Sequence, residues 1–185
     1  CVTIVGVMQI QPDEEEKSLL YFLAAAIVIV LDQASKWAVV HYMELDQSIP
    51  VIGEFFTIYS HRNRGAAFGI LQNQRWFFIV VTLVVISGII WFMVRTIRSG
   101  KRQPLFMSGL SLLLGGAIGN FIDRLATGEV VDFLKFHFDF TLFGLDVDYT
   151  YPIFNVADMG VVIGAGMLIL DALLSGCHDK KEITA

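Results

Sequence analysis

From residue 76 to residue 94 the chain carries no charged side chain. A helix needs about 20 such residues to cross ~30 Å of hydrocarbon. Three more stretches have comparable length, and together the expected spans lie at about 19–40, 76–97, 105–123 and 153–174. An open-ended segment in lipid must satisfy its own backbone hydrogen bonds, which only a helix can do. Composition agrees. Hydrophobic residues make up 55% of the 185 and charged residues 17%, against about 25% charged in soluble domains. At a mean hydropathy of +0.64, a water-soluble fold this short could not hide its apolar side chains. The reading is an all-α membrane protein of four transmembrane helices. A polar tail is expected at 1–18, the membrane domain at 19–174 and a C-terminal tail at 175–185. Met8 offers an alternative start, and no cleavable signal peptide with a basic head is legible.

Short loops rich in Lys and Arg stay on the cytoplasmic side. The connection between spans two and three holds Arg95, Arg98, Lys101 and Arg102. Lys17 lies before span one, and Lys180 and Lys181 lie after span four. Four spans put all of these on one side, so both termini are expected to be cytoplasmic. The long connections at about 42–75 and 124–152 then face outward. Both are rich in aromatic and β-branched residues. Residues 48–60 read as strands forming a small β-like cradle. Residues 130–144, with Phe133, Phe136, Phe138, Phe140 and Phe143, read as an amphipathic, interfacial flap. Ordinary anchoring by interfacial aromatics is the plainer alternative.

Ionisable residues inside a span are costly, so their positions carry information. Asp158 lies near the outer end of span four. Asn120, Asp123, Arg124 and Asp132 fall near the same boundary after span three. Gly115 and Gly119, and Gly160 and Gly164, have the small-xxx-small spacing that lets helices approach. Two close carboxylates share a proton, and such a pair can activate water and polarise a carbonyl. For Asp132 and Asp158, proton or ion transport is the rival reading. For Asp123 and Arg124 the plainer reading is an acid–arginine pair stabilising the bundle. Asp32 and Lys36 lie on one face of span one and read as a supporting salt bridge. Residues 63–69, "NRGAAFG", read as a tight turn or as backbone surface for an extended peptide. His41, His61, His137 and His178 have no ligand spacing, and neither do Cys1 and Cys177, so no metal site or disulfide framework is expected. Ser35, Ser108 and Ser111 have no neighbouring base. A net charge of -5 argues against nucleic acid as a partner.

Four motifs occur in order: "DQASK" (32–36), "NRGAAFG" (63–69), "GNFIDRLATGEVVDF" (119–133) and "FNVAD" (154–158). Over about residues 19–174 the chain closely resembles the bacterial lipoprotein signal peptidase, or signal peptidase II, family. The resemblance implies a four-helix aspartyl endopeptidase of the bacterial cytoplasmic (inner) membrane with its active site near the outer face; subunit contacts are not implied, and a monomer is expected. It implies cleavage of diacylglyceryl-prolipoproteins just before the lipobox cysteine, with no metal or organic cofactor. Membrane lipids and globomycin-type inhibitors are the other implied partners. By motif, Asp132 and Asp158 are the expected catalytic pair. Asn63, Gly65, Asn120, Asp123, Arg124 and Asn155 match positions that bind substrate or support the site, and Asp32 and Lys36 match the first-span pair. One departure stands out: the stretch from Asp132 to Asp158 is longer than in compact forms of the family, with the excess near 140–149. The lipobox-like "LSGC" at 174–177 follows an inward-running span and reads as coincidence. A proton-coupled transporter using Asp32, Lys36 and Asp158 would need polar residues through the membrane depth, and a purely structural scaffold would leave the motif set unexplained.

Overall fold

The computed structural model describes residues 12–65, 74–99 and 103–183. It contains helix α1 (Pro12–Tyr42), strands β1 (Ser48–Ile52) and β2 (Phe56–Asn63), helices α2 (Arg75–Arg98) and α3 (Pro104–Ala126), strands β3 (Val130–Leu142) and β4 (Leu145–Thr150), and helix α4 (Val156–Ile183). All four helices are long and apolar enough to cross a membrane. The chain is therefore a multi-pass membrane protein. α1 extends into the polar run before the first expected span, and α4 continues without a break to Ile183. The fourth span begins at Val156, three residues later than read from the sequence, because residues 151–155 form an extended linker.

α3 is the hub and packs against α1, α2 and α4. It is also the most enclosed span: 44% of its most apolar window is buried, against 11–17% in the others. Glycine makes this closeness workable. A Cβ on Gly109 would lie 2.9 Å from the Gly164 carbonyl oxygen, and one on Gly164 would lie 2.6 Å from that of Gly109. Gly116 lies against the Ala157 carbonyl, while Gly115 instead faces Ala25 and Val28 of α1. The sequence spacing grouped Gly115 with Gly119 as one flat face. In the bundle that face meets α1, where Gly119 accommodates the Asp32 carboxylate and also touches Ala157, while Gly109 and Gly116 are pressed against α4. An inner core of Ala25, Ile89, Met93, Met107, Leu110 and Leu114 fills the bundle.

The two long connections join in one antiparallel sheet of order β1-β2-β3-β4. Because β2 pairs with β3, both connections lie at the same end of the bundle, as an even number of spans requires. The register sets Asn63 opposite Val130 and His61 opposite Asp132, with an irregularity between Ile58 and His61. The far half of β3 leaves β2 and pairs with β4 from His137↔Thr150 to Leu142↔Leu145. Residues 137–150 thus form a second β-hairpin. Phe143 and Gly144 turn it, with φ of 53° and 78°, the left-handed pair that matches the twist of a two-residue hairpin. Val39, Val131 and Phe133 form a second small core that seats the sheet on the bundle, with Met43, Ile58, Leu134 and Val156 around it.

Candidate active site

The first turn of α4 shows why a carboxylate begins an apolar helix. Asn155 is the residue before the helix. Its side-chain oxygen accepts the backbone N–H of Asp158 at 2.9 Å, and the Asp158 Oδ2 accepts the backbone N–H of Asn155 at 3.1 Å. This is a reciprocal capping box, with Asp in the place Glu or Gln usually takes. It satisfies two N–H groups that a helix start otherwise leaves open. The negative group also faces the positive end of the helix dipole.

Asn155 then bridges the two acids. It is fully buried, and its Nδ2 donates to the Asp132 Oδ1 at 2.7 Å. The Asp132 Oδ2 accepts from the Asn63 Nδ2 at 3.0 Å, and the Asp158 Oδ1 accepts from the Asn120 Nδ2 at 2.7 Å. The orientation of each amide is fixed by a donor that cannot reverse. The Asn63 oxygen accepts the Gly65 N–H at 2.9 Å, the Asn120 oxygen accepts from the Lys36 ammonium at 2.9 Å, and the Asn155 oxygen accepts the Asp158 N–H. All three asparagines therefore present NH2 groups to the carboxylates, and none offers them an acceptor.

Asp132 is 2% exposed. Burial, with the neighbouring Asp158 charge, pushes its carboxyl up to about 7, and the Asn63 and Asn155 hydrogen bonds and the Lys36 charge oppose this. Desolvation penalises the charged form more than two neutral donors restore it.

Lys36 and Asp32 form the expected ion pair at 2.8 Å, but the pair belongs to a wider cluster. The Lys36 ammonium also meets Asp123 at 2.9 Å and Asn120 at 2.9 Å, so all three of its hydrogens have acceptors. The Asp32 Oδ1 accepts the Ala157 N–H at 2.9 Å and so caps α4 from another helix. Asp123 accepts the Val131 N–H at 3.1 Å and anchors the start of β3. The expected pairing of Asp123 with Arg124 does not form. Successive helix residues point in different directions. Asp123 turns inward to Lys36, while the Arg124 guanidinium lies 4.8 Å over the Phe78 ring and donates to the Gly65 carbonyl at 3.4 Å. Gln33, within "DQASK" but not singled out by sequence, donates to Asp123 at 2.9 Å and to the Gly119 carbonyl at 3.1 Å. Its signal was its place one residue after Asp32, where an amide reaches the next helix. Among the described residues no buried side-chain nitrogen or oxygen lacks a partner.

A cleft of about 610 Å³ opens over the two acids. Asn63, Gly65, Asn120, Arg124, Asp132 and Asp158 all border it. Its outer wall is residues 149–154, the end of β4 and the linker to α4, and His61 also borders it. Of the sequence-derived site residues, Asp32, Lys36, Asp123 and Asn155 lie behind this surface. Residues 66–69 of "NRGAAFG" fall outside the described residues, as do Cys1, Lys101 and Arg102. Among the described residues no group of three or more His, Cys, Asp or Glu side chains could hold a metal ion.

Residues 24–174 match the family model described as signal peptidase (SPase) II. The chain belongs to the signal peptidase II family. It is 55% identical over 160 residues to the lipoprotein signal peptidase of Brevibacillus brevis, an alignment covering 86% of this chain and 99% of that protein. It is 47% identical over 164 residues to the lipoprotein signal peptidase of Bacillus subtilis, covering 89% and 99%. A bacterial membrane enzyme solved by the in meso method at 2.3 Å resolution superposes with a TM-score of 0.73 at 39% identity, covering 88% of this chain and 92% of that one. Membership of the signal peptidase II family implies a peptidase. It also removes the transporter and scaffold readings.

Proposed function

We propose that this chain is an aspartyl endopeptidase that removes the signal peptide from diacylglyceryl-modified prolipoproteins just before the lipobox cysteine, with Asp132 and Asp158 as its catalytic pair. The observation that carries the reading is the placement of these two carboxylates beside one cleft, joined through Asn155, which donates its side chain to one and its main chain to the other. A water between them gives a proton to the ionised carboxylate as its oxygen attacks the scissile carbonyl carbon. The protonated carboxyl hydrogen-bonds the carbonyl oxygen. When the C–N bond breaks, the departing amine takes up a proton from the pair. The raised pKa of Asp132 near neutrality supports a shared proton, and the three fixed NH2 groups hold the carboxylates without offering the proton another acceptor. Asn63, Gly65, Asn120 and Arg124 border the space a substrate backbone would enter, and Asp32, Lys36, Asp123 and Asn155 hold that border. No step requires a metal or an organic cofactor.

Arg95 and Arg98, in the last turn of α2, lie at the end of the bundle opposite the sheet, which supports cytoplasmic termini and a site near the outer face of the bacterial cytoplasmic membrane. The chain acts as a monomer in this reading, with membrane lipids around it and globomycin-type inhibitors entering the same cleft. The test is incubation of the purified protein with a lipidated precursor, with and without globomycin. Asp132→Asn and Asp158→Asn should each nearly abolish cleavage while leaving the protein folded, and the double variant should be scarcely worse than either. Substantial cleavage by a well-folded single variant removes that aspartate from the mechanism.

A further inference from the structure

The β3–β4 hairpin has two unlike faces. Alternation along a strand puts residues i and i+2 on one side, and the register extends this across the pair. Phe138 lies opposite Tyr149 and Phe140 opposite Val147 on one face, while Asp139 lies opposite Asp148 and Thr141 opposite Asp146 on the other. Beyond Phe138, whose ring meets that of Phe55, this apolar face is largely open. Phe140 and Tyr149 are about half exposed, and at the tip Phe143 is 96% and Leu145 72% exposed. The tip departs from habit as well. Its left-handed first turn residue is a phenylalanine, where Asn, Asp or Gly is usual.

The direction of the apolar face is fixed at the base of the hairpin. There a groove of about 420 Å³ runs between Phe136 and Phe138 on one side and Met159, Val162 and Ile163 of α4 on the other. Val162 is 68% and Ile163 51% exposed, on a flank of the spanning helix that borders lipid. The apolar face of the hairpin is therefore continuous with the lipid-facing flank of α4 and overhangs the bilayer beside it. From residue 136 to residue 155 there is no Lys or Arg, so anionic headgroups offer this segment no attraction.

We infer that the β3–β4 hairpin is seated on the bilayer, with Phe140, Phe143, Leu145 and Tyr149 in the boundary between headgroups and acyl chains and Asp139, Asp146 and Asp148 in water. Its hold is apolar burial rather than charge. The inference needs only that α4 crosses the membrane and is independent of the catalytic assignment. The seated hairpin fixes the outer wall of the cleft, since β4 runs directly into residues 149–154.

Spin labels test this without reference to cleavage. With Cys1 and Cys177 replaced by serine, nitroxides are attached in turn through Phe143→Cys, Leu145→Cys and Asp148→Cys, and the protein is placed in phosphatidylcholine vesicles. Collisions with oxygen relative to a water-soluble nickel chelate should be severalfold more frequent at positions 143 and 145 than at 148. That contrast should be unchanged by phosphatidylglycerol or by salt. Positions 143 and 148 equally open to the chelate would overturn the inference. Spin–spin broadening at 143 that vanishes on diluting labelled with unlabelled protein would overturn it in favour of a second copy. Protection that arises only when lipidated precursor is added would overturn it in favour of the substrate.

Discussion

Replacing Asp132 by asparagine should make the protein more stable above neutral pH while making it inactive. The Asp132 carboxyl sits at about 7 in the fold, against an ordinary value of 3.8. Between those two values the unfolded chain loses the proton and the native state keeps it. Native stability is then fully present below about pH 3.8, falls as pH rises through this window, and levels off above about 7. The rise corresponds to roughly 4 kcal/mol at most. Asparagine never ionises and escapes that cost. It also turns one acceptor oxygen into an NH2, which must face the NH2 of Asn63 or Asn155 and loses a buried hydrogen bond worth about 1–3 kcal/mol. The net gain above pH 7 should be of order 1–3 kcal/mol, shrinking to nothing or reversing near pH 4. Reversible denaturant titration in mixed micelles, followed by the fluorescence of Trp37, Trp76 and Trp91, would read the difference across pH 4.5–8.5. A stability difference between variant and wild type that does not change with pH would refute the reasoning, because it would mean that Asp132 ionises alike in both states.

Lys36→Met leaves Asp32 and Asp123 buried without their cation, so it should cost about 3–5 kcal/mol, and adding Asp32→Asn should recover part of this. A denaturation midpoint like that of wild type would contradict the cluster. Gly119→Ala places a methyl 2.6 Å from the Asp32 carboxylate, whereas a Cβ on Gly88 meets nothing within 4 Å. The first should lower folded yield and activity together, and Gly88→Ala should be neutral or stabilising by up to about 1 kcal/mol. A cysteine placed at 55 should react with an impermeant maleimide added to intact cells, and one placed at 101 only after the cells are permeabilised. Outward labelling at 101 would invert the topology. Deleting most of 140–149 should raise KM for the lipidated precursor more than it lowers thermal stability, and unchanged kinetics would exclude a role for the hairpin in substrate handling.

The helices were legible because lipid demands long apolar runs, and α2, with nothing but packing to do, matched its sequence reading most closely. The polar residues at the outer boundary were legible as a set, since each is costly there and they gather at one depth. Their pairings were not. Asp123 and Arg124 look like partners in sequence, but adjacent helix positions diverge, and the carboxylate finds a lysine on another helix. Glycine spacing showed the face that Gly115 and Gly119 turn to α1, but not that Gly116, about 100° further round the axis, opens a second face to α4. The aromatic run after Asp132 showed its amphipathic character, but its pairing with β4 depends on a turn at Phe143 that no Asn-Gly signal announces. The capping box was hidden for a similar reason. "NVAD" carries Asp where the familiar pattern carries Glu or Gln, so the acid read as a site residue and not also as the start of its own helix.

The bond from the Ala157 N–H to the Asp32 carboxylate joins the first span to the last. Spans leave the ribosome in order, so Asp32 enters the membrane long before its partner exists. Until then Lys36, one turn along the same helix, is the neutralising neighbour within reach, and α1 can be inserted as an internally compensated segment. The room that Gly119 leaves for the carboxylate arrives with the third span, and the amide that completes it arrives with the fourth. Assembly therefore finishes at the active site. A chain interrupted before α4 lacks one of the proposed catalytic acids, Asn155, and the main-chain donor that α1 is waiting for, so an incompletely made molecule has neither a closed bundle nor the means to cut a peptide.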